Sequence, residues 1–251
     1  PHLVQKSLIM RRVPKIVSPD EAVQAVKSGD SVYLSGFANS PEILVEALCR
    51  RGDRGELQDV EIVQLMTFGK APYTEEKYAG IFIPNAFFAG ANNRRSIREG
   101  VSDYLPVGLS DTQALYRSGI FKCDVAIIKV TKPDQHGYVS LGVSVDITLA
   151  AVEVAKTVIA VVDEKAPRTL GDSLIPYSRI DYAVLDNHPL MEIINPPSTE
   201  LDIAIGKNCA ALIDNGACLQ MGIGSIPNAI LSALKDHSDL GIHTEMFSDN
   251  V

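Results

Sequence analysis

The fold class is decided by residues 27–48, which read KSGDSVYLSGFANSPEILVEAL. The polar, glycine-containing turn at 27–30 leads into the apolar run at 31–34, a pattern that predicts a β-strand. A second glycine segment then ends at Pro41, and the apolar residues that follow share one face of a helix, namely Ile43, Leu44, Ala47 and Leu48. A strand that passes through a glycine loop into a helix is typical of an α/β protein.

The same alternation of short apolar runs and amphipathic stretches extends along most of the chain. Strands are predicted at residues 31–34, 60–64, 81–84, 125–130, 157–162 and 182–186. Helices are predicted at residues 41–50 and 146–156. Asp163 and Glu164 follow one of these strands, and we expect them in a loop with their charges facing solvent. The predicted fold class is therefore α/β, with an open, mostly parallel sheet and helices on both faces.

An internal repeat relates two parts of the chain. A second glycine turn at residues 213–216 precedes an apolar run at 217–221, another glycine loop and a helix that reaches Leu234. Gly222 and Pro227 are separated by the same five-residue offset as Gly36 and Pro41 in the first part. The shared order and spacing favour a duplicated domain.

The clearest break in the chain is the segment Asn195-Pro196-Pro197-Ser198-Thr199. Two prolines followed by small polar residues suit neither the interior of a helix nor a strand. The sequence therefore predicts an N-terminal domain over residues 1–195. Residues 196–251 are then the start of the duplicated C-terminal domain, which we expect to be truncated.

Composition argues against several classes of protein. The net charge is −8 and the basic residues are scattered, whereas nucleic-acid-binding proteins usually carry a basic stripe. No apolar run approaches the roughly 20 residues of a membrane helix, so we expect a soluble, cytoplasmic protein. The four cysteines have no CxxC spacing, which indicates neither a zinc site nor a disulfide framework. We predict no metal site.

The first candidate binding element is the glycine loop formed by Gly222, Ile223, Gly224, Ser225 and Ile226. It leaves a predicted strand and enters a helix, whose free N–H groups and dipole favour an anion. Glycines also let a ligand approach the backbone closely. The loop is not a dinucleotide fingerprint, because Pro227 replaces the third glycine. A tight strand-to-helix connection without a ligand is the alternative interpretation.

The second candidate element is the segment His243-Thr244-Glu245-Met246-Phe247. Its alternating pattern predicts a strand that points His243 and Glu245 to the same face. A carboxylate at the end of such a strand lies where ligand crevices usually form in α/β proteins. By spacing alone, however, a lone glutamate on a strand is usually a solvated or salt-bridged side chain.

Together these segments resemble the acetyl-CoA hydrolase/transferase family, within it the 4-hydroxybutyrate and butyrate:acetate CoA-transferase branch. The resemblance rests on the glycine loop and on residues 243–249, and it extends to residues 18–22, 35–37, 135–137 and 186–190. It implies that Glu245 forms a glutamyl-CoA thioester, and that Gly222 to Ile226 contact CoA and hold the oxyanion. Two departures are Asn250, where the family usually has glycine, and the lack of a match to the family's second glycine-rich segment.

The resemblance also implies the reaction and its partners. A CoA-transferase would move CoA between an acyl-CoA and a short carboxylate, with CoA as a substrate and no permanently bound cofactor. An acyl-CoA hydrolase that uses the same glutamate and a non-catalytic CoA-binding module are the alternatives. We expect a homo-oligomer whose active site is completed by a C-terminal half or by a partner chain.

Overall fold

The computed structural model of the protein describes residues 13–192, 194 and 196–251. These residues form two compact units that divide between Met191 and Glu192. In the predicted break at 195–199, Asn195 lies outside the described residues, and residues 196–199 belong to neither a helix nor a strand.

Ten strands lie in the described part of the first unit. In chain order, β1 to β10 span Lys15–Ile16, Ser31–Leu34, Val60–Gln64, Phe82–Ala86, Asp103–Tyr104, Val125–Thr131, Tyr138–Ser140, Thr157–Asp163, Leu174–Pro176 and Tyr182–Leu185. Eight of them form one sheet in the order β1-β10-β8-β6-β2-β3-β4-β5. Every neighbouring pair in this sheet is parallel, whereas β7 and β9 form a separate antiparallel pair. The predicted parallel sheet is confirmed.

Helices cover both faces of this sheet, as predicted. The helices α1 to α5 span Pro19–Ala22, Glu42–Asp53, Arg94–Arg98, Leu109–Arg117 and Thr148–Val154. Side chains alternate between the two faces of each strand, so Val32 and Leu34 enter one core while Tyr33 enters the other. Helix α2 packs Leu44 and Leu48 into the first core, and α5 packs Val152 into the second.

The predicted helix at 146–156 is shorter in the structure because Asp146 cannot continue it. Asp146 has a left-handed φ of 33°, and its Oδ1 accepts a hydrogen bond from the Thr148 backbone N–H at 3.0 Å. When an aspartate side chain accepts a hydrogen bond from the backbone N–H two residues later, it stabilises a turn at the aspartate instead of a helical conformation. The helix α5 therefore begins at Thr148.

The predicted solvent-facing loop at Asp163 is wrong. Strand β8 continues through Asp163, which pairs with Thr131 of β6, and its side chain is fully buried. The Asp163 carboxylate forms an ion pair with Lys129 on β6, with Nζ and Oδ2 3.6 Å apart. A charged residue that follows an apolar run can still belong to the strand when a neighbouring strand supplies its counter-charge.

The second unit contains two helices and two short parallel strands within the described residues. Helix α6 spans Glu200–Ala210, β11 Cys218–Leu219, α7 Ser225–Ala233 and β12 Gly241–Ile242. The order strand, glycine loop, helix thus occurs in both units. The register of the repeat differs, however, because Pro41 precedes α2 while Pro227 lies inside α7.

Helices α6 and α7 approach each other closely at Gly206. A Cβ atom at this position would lie 2.7 Å from both the carbonyl carbon and the carbonyl oxygen of Ala229. Backbone atoms cannot move aside as a flexible side chain can, so glycine is required by the packing of the two helices.

The substitution Gly206→Ala should destabilise the second unit by about 1–3 kcal/mol, because the added methyl group overpacks the contact. The loss should appear although alanine favours helix formation by roughly 1 kcal/mol. Urea unfolding and amide hydrogen exchange of α6 and α7 would measure it.

The exposed neighbour Lys207 provides the control, since Lys207→Ala on the same helix should change stability by less than about 0.5 kcal/mol. A Gly206→Ala variant as stable as Lys207→Ala would contradict the close packing.

Candidate functional site

The candidate site lies where the two strands of the second unit end. Strands β11 and β12 pair in parallel, with Cys218 opposite Gly241 and Leu219 opposite Ile242. Their carboxyl ends are therefore neighbours, and the segments that leave them start side by side. One segment is the glycine loop that enters α7, and the other contains Glu245.

Thr244 fastens the second segment to the start of the glycine loop. The backbone N–H of His243 donates to the Leu219 carbonyl at 2.9 Å. The Thr244 hydroxyl then accepts from the Met221 N–H at 3.0 Å and donates to the Met221 carbonyl at 2.9 Å. The residue before Glu245 is thus held against the residue before Gly222.

The far end of the same segment is fastened to helix α7. Ser248 Oγ donates to Oδ1 of the buried Asn228 at 3.4 Å, and Asn250 Nδ2 donates to the Asn228 carbonyl at 3.4 Å. Glu245 therefore lies on a short bridge between the loop and the helix that the loop enters. The asparagine at position 250, where the resemblance led us to expect glycine, takes part in this anchoring.

The predicted strand through His243 and Glu245 is wrong, because β12 ends at Ile242 and Glu245 lies in a bend. The extended segment is held by the Thr244 side chain rather than by a ladder of backbone hydrogen bonds. Glu245 is exposed, and its carboxylate has no hydrogen bond or ion pair with any residue that the structure describes.

The glycine loop presents backbone donors without partners. Among the described residues, none of the backbone N–H groups at 222–226 makes a hydrogen bond. Gly224 precedes α7 with a φ of 117°, a backbone conformation that residues other than glycine rarely adopt. No side chain caps the start of this helix. A Cβ at Gly224 would meet no atom within 4 Å, so the loop is open on that side. Free donors at a helix start favour a negatively charged group.

Helix α6 supports the loop through Asp202. The hydroxyl and the backbone N–H of Thr199 hold the pKa of the Asp202 carboxyl below its usual value, and Ser225 Oγ donates to the same carboxylate at 3.1 Å. The first residue of α7 is thus tied to the first turn of α6. Because Asp202 is ionised at neutral pH, this tie weakens only when acid protonates the carboxylate.

The described residues contain no group of three or more His, Cys, Asp or Glu side chains placed to hold a metal ion. Each helix among them is too short or too polar to span a membrane.

Three supporting residues were missed by the sequence analysis: Asp202, Asn228 and Thr244. The pattern Thr199-x-x-Asp202 is a recognisable capping box, so the role of Asp202 in starting α6 could have been predicted. Asn228 and Thr244 act through contacts more than 20 residues away in the chain, and no local pattern signals them.

The first unit thus contains a parallel sheet covered by helices, and the second contains an open loop of free N–H donors beside an exposed carboxylate. These features define an α/β protein with a candidate site for an anionic ligand.

Residues 10–195 match the acetyl-CoA hydrolase/transferase N-terminal domain. The chain belongs to the acetyl-CoA hydrolase/transferase family. It is 43% identical over 237 residues to the 4-hydroxybutyrate coenzyme A transferase of Clostridium kluyveri, covering 94% of this chain and 55% of that protein. It is 39% identical over 242 residues to the succinyl-CoA:acetate/propanoyl-CoA:succinate CoA transferase of Fasciola hepatica, covering 96% of this chain and 50% of that protein.

A solved structure supports the same family relationship. The crystal structure of 4-hydroxybutyrate CoA-transferase from Porphyromonas gingivalis matches with a TM-score of 0.81 and 34% identity. The match covers 94% of this chain and 55% of that one. The chain spans about half the length of the curated relatives it matches.

The substitution Thr244→Val should destabilise the second unit by about 1–2 kcal/mol, because the Met221 N–H loses its acceptor and the Met221 carbonyl keeps only the Gln220 side chain as a donor. Hydrogen exchange at the Met221 amide should become faster. Thr244→Ser retains the hydroxyl and should preserve the protection of this amide. Equal protection in the valine and serine variants would show that the hydroxyl does not anchor the segment.

Proposed function

We propose that the protein is a CoA-transferase that moves coenzyme A between an acyl-CoA and a short-chain carboxylate, with Glu245 as the covalent nucleophile. The observation that carries the proposal is the free Glu245 carboxylate, on a segment anchored at Thr244 and Ser248 beside the glycine loop. A carboxylate engaged by strong donors would be a weaker nucleophile, because hydrogen bonds stabilise its charged form.

The chemistry would proceed through two covalent exchanges. A Glu245 oxygen attacks the acyl-CoA carbonyl, and the C–S bond breaks to give a mixed anhydride and the CoA thiolate. The thiolate then attacks the glutamyl carbonyl of the anhydride, which releases the donor carboxylate and leaves a glutamyl-CoA thioester. An acceptor carboxylate takes the CoA by the reverse steps. Such double displacement gives ping-pong kinetics.

The glycine loop would stabilise the charge that develops in each step. Attack on a carbonyl produces a tetrahedral oxyanion, and the unpartnered N–H groups of residues 222–226 are suitable donors to it. Removing one such donor typically costs about 3–4 kcal/mol in transition-state stabilisation. The start of α7 adds its dipole, which also favours negative charge.

The proposed substrate class rests on the names of the relatives. Both are CoA transferases of short acids, namely 4-hydroxybutyrate in one case and succinate, acetate and propanoate in the other. We propose that CoA and its thioesters are substrates here rather than permanently bound cofactors. Because the matched relatives are about twice as long as the matched region, we assign the transfer reaction to the whole protein.

The replacement Glu245→Gln in the whole protein should lower the rate of CoA exchange roughly a thousandfold or more, because an amide cannot form the thioester intermediate. Exchange of labelled acetate into acetyl-CoA would measure the rate. Glu200→Gln, which changes an exposed glutamate on α6, is the matched control and should retain normal exchange. Normal exchange by Glu245→Gln would refute the assignment.

Hydrolysis is the second candidate, because the exposure of Glu245 leaves it open to water. The same glutamyl thioester would then react with water instead of a carboxylate. If hydrolysis dominates, CoA should be released from acyl-CoA much faster than a new thioester forms. Measuring free CoA and the new thioester with and without an added acceptor acid separates the two reactions.

A further inference from the structure

Phe247 is the only phenylalanine, tyrosine or tryptophan among residues 192–251, and it does not belong to the core of the second unit. That core is formed by Ala210, Met221, Leu231 and Leu234. The Phe247 side chain is instead 73% exposed, and its ring makes no aromatic or cation–π contact with any residue that the structure describes. The ring is a large apolar surface that the packing of this unit does not use.

Phe247 lies on the same side of its segment as Glu245. Both residues are exposed, whereas Thr244, Met246 and Ser248 are half-buried. Residues two apart in an extended chain have Cα atoms about 7 Å from each other. Because hydrogen bonds of Thr244 and Ser248 anchor the segment on both sides, the Phe247 ring is held near the Glu245 carboxylate.

The proposed glutamyl-CoA thioester can react with two nucleophiles at the same carbon. When an acceptor carboxylate attacks the Glu245 carbonyl carbon, the C–S bond breaks and the CoA thiolate goes on to the acceptor. When water attacks this carbon, the same bond breaks, CoA leaves as the thiol, and Glu245 returns as a carboxylate with release of one proton. Transfer therefore requires that water be kept away from this carbon.

The surroundings of Glu245 distinguish these two nucleophiles. The free N–H donors of the glycine loop attract a negatively charged carboxylate. The Phe247 ring has no group that can donate to or accept from water, so a water molecule between the ring and the thioester would lose hydrogen bonds. The loop thus favours the acceptor, and the ring disfavours water.

We propose that the Phe247 ring covers the glutamyl-CoA thioester, so that the intermediate reacts with a carboxylate rather than with water. The inference rests on the proposed function, because the thioester is the group that the ring covers. Its own support is the exposure of the ring, its position two residues from Glu245 and the anchoring of the segment on both sides.

The partition of the intermediate between two products tests the proposal. The whole protein is incubated with butyryl-CoA and acetate, and free CoA and acetyl-CoA are measured in the same sample. Both products come from one intermediate, so their ratio does not depend on how much of a variant is folded. Phe247→Ala should raise the ratio of free CoA to acetyl-CoA about tenfold, the scale on which one apolar contact alters discrimination by an enzyme.

Three further variants test whether the apolar cover is the cause. Phe247→Leu retains an apolar side chain and should keep the ratio close to that of the unaltered protein. Phe247→Gln introduces a side chain that binds water, so it should raise the ratio as alanine does, and it replaces the alanine variant if that variant does not fold. Leu212→Ala changes an exposed apolar residue outside the site and should leave the ratio unchanged.

The proposal would be overturned by an unchanged or lower ratio in Phe247→Ala, or by an equal rise in Phe247→Leu or Leu212→Ala. Hydrolysis that already dominates in the unaltered protein would also contradict it. Loss of both products in folded Phe247→Ala would mean that the ring is needed to form the thioester, which again counts against a protective role. Failure of the proposed function is visible separately, because Glu245→Gln would then still catalyse transfer.

Discussion

The parallel pairing of β11 with β12 is the constraint on which the candidate site depends. Only because Leu219 lies opposite Ile242 do the glycine loop and the segment of Glu245 begin at the same end of the two strands. Each strand has just two residues, so the backbone ladder alone is weak. The Thr244 hydroxyl, which bonds both backbone groups of Met221, extends the contact by one further step. The position of Glu245 follows from these few bonds.

The parallel pairing of strands also brings polar side chains together in the larger sheet of the first unit. Lys129 lies on β6, Asp163 ends β8 and Asp186 directly follows β10, and these three strands are neighbours in the sheet. The three side chains therefore lie near the carboxyl end of the sheet. Lys129 and Asp163 are buried together, and each would be costly alone. Along the length of the strands, by contrast, apolar side chains fill the cores on the two faces of the sheet.

Much of the first unit could be predicted because its central strands are buried on both faces. Short runs rich in β-branched and other apolar residues, such as 31–34 and 60–64, are distinctive, and both strands have the predicted bounds. The glycine loop could also be recognised, since the strand, the glycines and the helix that follows them are consecutive in the sequence. Asp163 could not be placed, because its counter-charge comes from another strand. Glu245 was misplaced in a strand because alternation in the sequence does not distinguish a ladder from an extended segment held by one threonine.

The central claim is that Glu245 becomes covalently bound to CoA. The most direct measurement is mass spectrometry of peptides after the whole protein is incubated with acyl-CoA and the thioester is reduced with borohydride, which converts the modified carboxyl to an alcohol. We predict that the peptide containing Glu245 carries this change, only when acyl-CoA was present. A change on another glutamate, or an unmodified Glu245 peptide in protein that catalyses transfer, would contradict the account.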